Sequence, residues 1–218
     1  MTDVLETRRE TRRRRKAERP QEIIEAAFCE FSRNGYAMTT LERIAERAGV
    51  TKGTIYVYFE NKEHLFISMV REFTKAAHEN VQELYETHDG STAELLRAQF
   101  RLIYQHLVND KRRREVVRML IAESSRFPEL ADRYYDEILR PCLDMLKQVI
   151  RRGVERGEIR QSAVIDSPQV VIAPIALVDL WLMMFDDRQP LDLKVYFDAH
   201  LALMLNGLLA GSSEASSP

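Results

Sequence analysis

Thr51, Lys52, Gly53 and Thr54 open a stretch, TKGTIYVYFENKE over 51–63, that crowds hydrogen-bond donors against aromatic rings. Lysine and threonine donate to phosphate oxygens and guanine acceptors, and a glycine among them lets the backbone approach closely. That chemistry is recognition of a polyanion rather than bond breaking. The preceding residues supply the geometry, because Ala45 is followed four positions on by Gly49 and six after that by Ile55. This is helix-turn-helix spacing: a small residue permits close packing, glycine takes the turn, and Ile44, Val50 and Ile55 plug the junction. In such a motif the start of the second helix stays exposed and meets base edges in the major groove.

The elements that must hold this stretch read as helices throughout. Pro20 is expected at the N1 position of a first helix whose apolar stripe is Ile23, Ile24, Ala27, Phe28 and Phe31, with Gly35 in a left-handed C′ position. Thr39 or Thr40 caps the second helix, and Thr39 with Glu42 fits a capping box. Leu41, Ile44, Ala45 and Ala48 form its buried face, and a third short helix begins near Thr51. A long helix then runs from Asn61 to about His88, with further helices expected over 92–109, 112–126, 128–157, 166–186 and 192–210. Pro141 and Pro174 fall inside helical patterns and predict kinks or breaks there. Strand-like alternation is hard to find, so the fold class is all-α.

Composition narrows the function. The chain has 218 residues, 45% hydrophobic and 30% charged, as an ordinary folded protein has. Its net charge of −2 conceals an asymmetry. Residues 8–19 hold eight basic side chains, Arg13, Arg14, Arg15 and Lys16 among them, against two acidic ones, which gives a local charge of +6 on an otherwise acidic chain. A basic arm of this kind suits a polyanion partner, and equally a solvated tail. Cys29 and Cys142 form no framework and no ligand spacing, and read as small apolar residues. His64, His78, His88, His106 and His200 show no metal spacing, and no serine or cysteine has an evident base partner. No phosphate-binding glycine loop is present, so neither an enzyme nor a metal or cofactor is expected. No signal-peptide h-region opens the chain, and the apolar run over 170–185 is interrupted by Pro174 and Asp179. A cytoplasmic protein without a membrane span is therefore expected.

Residues 35–65, GYAMTTLERIAERAGVTKGTIYVYFENKEHL, resemble the DNA-binding domain of the TetR family of bacterial repressors. The resemblance runs through Gly35, Thr40, Ile44, Ala45, Ala48, Gly49, Val50, Gly53, Thr54, Tyr56, Tyr58, Phe59, Lys62, Glu63 and Leu65. It implies that Thr40, Tyr56, Tyr58 and Lys62 hold phosphates while Thr51, Lys52, Gly53 and Thr54 face bases and nearby backbone. Tyr56 and Tyr58 also read as plain packing. The basic arm would then enter an adjacent minor groove or line phosphates.

The rest of the chain matches that family in helix count and layout. Phe100, Tyr104, Met119, Glu123, Tyr134, Ile138 and Trp181 are candidates for an effector-binding cavity, with ordinary helix core as the competing reading of each. Arg118, Glu123 and Asp179 are charged residues in apolar contexts and predict either ion pairs or ligand contacts. The 166–186 helix is apolar nearly all round and, with the helix over 192–210, fits a two-fold four-helix interface. The expected organisation is a basic flexible arm (1–19), a helix-turn-helix domain (20–65), a helical effector-binding and dimerisation domain (66–210) and a flexible tail (211–218). The expected function is a homodimeric repressor released from a palindromic operator when a small apolar or aromatic effector shifts the long helix. A DNA-binding architectural or partner-regulated protein without an effector is the alternative.

Overall fold

The computed structural model describes residues 2–108, 110–161 and 163–209; the side chains of residues 2–17, 107 and 163 lie outside that description, as does the tail expected over 211–218. Ten α-helices follow one another among the described residues: α1 Thr2–Met38, α2 Leu41–Arg47, α3 Lys52–Tyr58, α4 Lys62–Thr87, α5 Thr92–Ile103, α6 Lys111–Glu123, α7 Pro128–Tyr134, α8 Arg140–Glu155, α9 Gln169–Phe185 and α10 Leu193–Leu208. Single π-turns over Tyr104–Val108 and Tyr135–Leu139 extend α5 and α7, and no strand occurs among the described residues. The chain is all-α. Two compact units form, one from Met1–Phe73 with Glu115–Arg133, the other from Thr74–Arg114 with Tyr134–Pro218. The boundary drawn from sequence near residue 65 therefore differs in one large respect, because Glu115–Arg133 groups with the helix-turn-helix.

The first unit is built on α1, which begins at Thr2 rather than at Pro20. The run ETRRETRRRRKAER is made of good helix formers with glutamates three and four residues before arginines, which favours helix over a flexible arm. Gly35, at φ 74° and ψ 167°, breaks the helical path before Met38; its φ is positive, as glycine allows, but its ψ is extended and not that of the left-handed C′ cap expected. Thr40, not Thr39, caps α2: its hydroxyl oxygen accepts from the Arg43 amide. Thr39 is instead buried, and its hydroxyl lies 2.7 Å from the Gly35 carbonyl and 3.1 Å from that of Glu30. The buried hydroxyl is thus satisfied by carbonyls of α1 and not by α2.

Ile23, Ala27 and Phe31 of α1, Ile44 of α2, Ile55 of α3 and Leu65 and Phe66 of α4 are fully buried. Each isoleucine, leucine and phenylalanine among them stabilises the unit by about 1.5–3 kcal/mol. Tyr36 sits among Phe31, Phe66 and Phe127, with ring centroids 5.0–5.6 Å away. Phe127 precedes α7, and its contact with Tyr36 shows why Glu115–Arg133 belongs to this unit. Met119 is also buried here, and the Glu123 carboxylate accepts weakly from the Ala37 amide at 3.4 Å.

The second unit packs Leu95, Leu96 and Phe100 of α5 against Val149 and Ile150 of α8, Val178 of α9 and Leu205 of α10. Ser91 caps α5 in a complete capping box with Glu94. A Cβ on Gly153 would stand 2.7 Å from Ile159 and 2.9 Å from Thr92, so glycine is what lets α8 approach this closely. Pro141 stands in the first turn of α8, just past a π-turn, where its missing N–H is accommodated by the i−5 bond from Arg140 to Tyr135. Pro174 lies inside α9, and its carbonyl accepts from the Tyr196 hydroxyl at 3.0 Å.

Candidate functional site

The first candidate surface is the α2–turn–α3 segment. Gly49, at φ 64°, stands one residue past the Ala48 cap of α2. Its amide donates to Glu46 at 3.1 Å and the Val50 amide donates to Ala45 at 2.9 Å, the paired bonds of a Schellman turn. This turn projects Thr51 outward as the N-cap of α3, its hydroxyl oxygen accepting from the Thr54 amide at 3.2 Å and lying 2.9 Å from the Thr54 hydroxyl. Ile55 and Phe59 are buried beneath. Thr40, Thr51, Lys52, Gly53 and Tyr56 are exposed, Thr54 and Tyr58 half-buried, and Val57, 70% exposed, is a residue the sequence reading missed.

Lys52 is held in place on this surface. Its ammonium pairs with the Glu42 carboxylate of α2 at 2.5 Å and lies 5.7 Å from the centroid of the Tyr56 ring. The hydrogen bond to Glu42 raises the lysine above its ordinary range, and its counterpart, the bond from Lys52, lowers Glu42.

Lys62, expected to hold a phosphate, opens α4. The ammonium turns inward, donating to the carbonyls of Tyr36 at 2.9 Å and Thr39 at 3.1 Å and lying 4.3 Å above the Tyr36 ring. The Tyr36 carbonyl lies in the last turn of α1 and the Thr39 carbonyl in the link to α2, so a partly buried cation is drawn to them. Burial lowers the pKa of Lys62. Arg13, Arg14, Arg15 and Lys16 belong to the helical backbone of α1, and their side chains lie outside the described residues.

The second candidate surface is a cavity of about 80 Å³ in the second unit, lined by His78 and Val81 of α4, Gln99 and Phe100 of α5, and Cys142 and Met145 of α8. Of the residues expected to line such a cavity, Phe100 does. Tyr104 lies instead in the adjoining core, its hydroxyl 2.9 Å from His200 Nδ1, and His200 Nε2 lies 2.9 Å from the Val171 carbonyl. The Ile138 side chain is buried, and its carbonyl lies 3.1 Å from the Cys142 sulfur. Burial raises Tyr134, with the Arg113 guanidinium close enough to oppose that shift. Trp181 donates to the Gln189 carbonyl at 2.8 Å and faces Phe185. Met119 and Glu123 belong to the first unit.

Asp179 and Arg118 form ion pairs. Asp179 makes a buried pair with Arg113, and Arg118 pairs with Glu115 at the surface.

Polar groups in the cavity are few and mostly committed. His78 Nδ1 lies 3.0 Å from the Thr74 carbonyl, which can only accept, so Nδ1 carries the proton. Burial lowers the pKa of His78, so the ring is neutral and Nε2, 2.8 Å from the Cys142 sulfur, accepts the thiol proton. Burial pushes that thiol up to about 11. Gln99 is 4% exposed, and its Nε2 has no hydrogen-bond partner. His78, Gln99 and Cys142 escaped the sequence reading because each came from a different helix, and no local pattern marks them.

Among the described residues no helix is long and apolar enough to cross a membrane. Residues 23–69 match the profile of bacterial regulatory proteins of the tetR family, and residues 86–195 that of the tetracyclin repressor-like C-terminal domain. The fatty acid metabolism regulator protein of Bacillus subtilis is 30% identical over 201 residues, 88% of this chain and 98% of its own length. The structure of the regulator FadR of Bacillus subtilis in complex with stearoyl-CoA superposes with a TM-score of 0.64 at 26% identity, covering 86% of this chain and 98% of that one. A TetR-family regulator from Mesorhizobium loti shares the fold at a TM-score of 0.72, with 23% identity and 90% and 99% of the two chains covered. With both profiles matched over most of its length, the chain belongs to the TetR family of DNA-binding transcriptional regulators.

Proposed function

We propose that this regulator is a homodimeric repressor that reads a palindromic operator with α3 and leaves it when an acyl-derived effector enters the second unit. The observation that carries the DNA reading is the division of α3. Ile55 and Phe59 close the core, while Thr51, Lys52, Gly53, Thr54 and Tyr56 present donors and open backbone outward. In this reading Thr51 to Thr54 meet bases and nearby phosphates, Thr40, Tyr56 and Tyr58 position the backbone, and Val57 suits a thymine methyl. Arg13 to Lys16 add phosphate or minor-groove contacts. Lys62 acts indirectly, by fixing the start of α4 against the end of α1.

The dimer is proposed through α9 and α10. Val170, Leu177, Leu180 and Met184 of α9 and Val195 and Leu203 of α10 are 41–78% exposed, an apolar surface that a second copy would cover. Two copies place two recognition helices on two half-sites.

The effector class is proposed from two supports: the relatives' connection to fatty acid metabolism and stearoyl-CoA, and the apolar lining of the α4/α5/α8 cavity. At about 80 Å³ the cavity takes only a short segment of the acyl portion of such a ligand, and a long chain must widen it. α4 contributes His78 and Val81 to the cavity and Lys62 to the first unit, so it is the proposed route of coupling. The effector must bind the released state better than the DNA-bound one. The test is anisotropy of a labelled operator fragment titrated with stearoyl-CoA: dissociation supports the reading, and an unchanged signal at saturating ligand opposes it.

A further inference from the structure

The Gln99 amide is the unexplained group of the second unit. Its Nε2 is buried without a partner in a cavity whose other polar atoms, His78 Nε2 and the Cys142 thiol, already satisfy one another. An unmet buried donor destabilises the fold, and native proteins keep few of them. An apolar residue of the same shape would remove that cost, so the retained amide points to a partner that arrives from outside. The cavity lining includes no lysine, arginine or aspartate and no glutamate. A neutral acceptor is welcome there, whereas a carboxylate would be buried without a counter-charge.

We infer that Gln99 Nε2 receives the carbonyl oxygen of an uncharged acyl ligand, a thioester, ester or amide, and that the cavity rejects the free carboxylate of the same chain. The chain beyond the carbonyl lies along Phe100, Val81 and Met145, which are apolar and border the same space. His78 has a positioning role: with Nδ1 bonded to Thr74 and Nε2 to Cys142, it holds the cavity wall without offering a charge. The inference rests on the effector reading proposed above and specifies its chemistry.

The test uses the full chain, methyl decanoate and sodium decanoate at pH 7.5, titrated calorimetrically into wild type, Gln99→Met and Gln99→Glu. Wild type should bind the ester at least about tenfold more tightly than the carboxylate. Gln99→Met should weaken the ester by about tenfold, and Gln99→Glu by more, because it turns acceptor oxygens toward the carbonyl. The unliganded Gln99→Met protein should melt at or above the wild-type Tm, since a donor kept for a ligand does not support the empty fold. Equal ester affinity in wild type and Gln99→Met overturns the inference and leaves the effector reading standing. So does a lower Tm in the unliganded variant, which assigns the amide to a buried water or to packing. If neither decanoate nor its ester binds wild type while stearoyl-CoA does, the inference also fails alone. Failure of all three ligands removes the effector reading itself.

Discussion

Lys62 and Tyr36 meet twice: the ammonium donates to the tyrosine carbonyl at 2.9 Å and lies 4.3 Å above its ring. With a second bond to the Thr39 carbonyl, this lysine ties the first turn of α4 to the segment leading into α2. Lys62→Met should therefore destabilise the protein by about 1–2 kcal/mol in denaturant melts, through two carbonyls left without a donor. Its operator binding should keep the wild-type dependence on salt. A salt slope reduced by about one phosphate contact would instead give Lys62 the direct role that its family position implies.

Lys52 should behave in the opposite way. Its pairing with Glu42 is between exposed side chains and contributes little to stability. Lys52→Ala should leave the melting temperature nearly unchanged, weaken operator binding and lower the salt slope by about one. Glu42→Gln releases the lysine from its carboxylate and should tighten binding. Retention of full affinity by Lys52→Ala would remove this residue from the interface.

The contrast between these two lysines shows how far the sequence can be read. Lys52 is placed by a local pattern: Gly49 turns the chain, Thr51 caps α3, and Ile55 fixes which side faces the core. Lys62 is placed by carbonyls 23 and 26 residues earlier, whose availability depends on how α1 ends at Gly35. The second unit is harder still. Phe100 could be found from its place in an apolar stripe, but Gln99 beside it reads as an ordinary solvated residue until α4 and α8 are laid against α5. Met119 and Glu123 follow the same periodicity as the second-unit helices, yet the Tyr36–Phe127 contact draws their segment into the first unit. Periodicity finds a buried face and cannot say which core buries it.

Burial keeps His200 and His78 neutral, in both cases chiefly by desolvation, with folded pKa values below the ordinary 6.5. The unfolded chain then takes up protons first as the pH falls. Stability should be complete above about pH 6.5 and decline as the pH drops toward the folded values, levelling once those are passed. Urea melts between pH 7.5 and 5 measure this slope. His200→Gln should flatten it, and a slope unchanged in that variant would exclude His200 as a source.

The Arg113–Asp179 pair is buried in the second unit, where removing one partner strands the other charge. Asp179→Ala should cost about 3–5 kcal/mol, while Arg113→Met with Asp179→Leu together should cost far less. A double variant as unstable as the single one would show that the pair is needed for more than mutual neutralisation.

The central claim is that the exposed start of α3 reads DNA. The direct measurement is capture of fragmented DNA from the source organism on purified protein, followed by sequencing, in parallel for wild type and Thr54→Ala with Lys52→Ala. Wild type should enrich a discrete palindromic site, and the double variant should lose that enrichment while its melting temperature stays within a few degrees of wild type. Equal enrichment by a folded double variant would contradict the assignment of α3 as the reading helix.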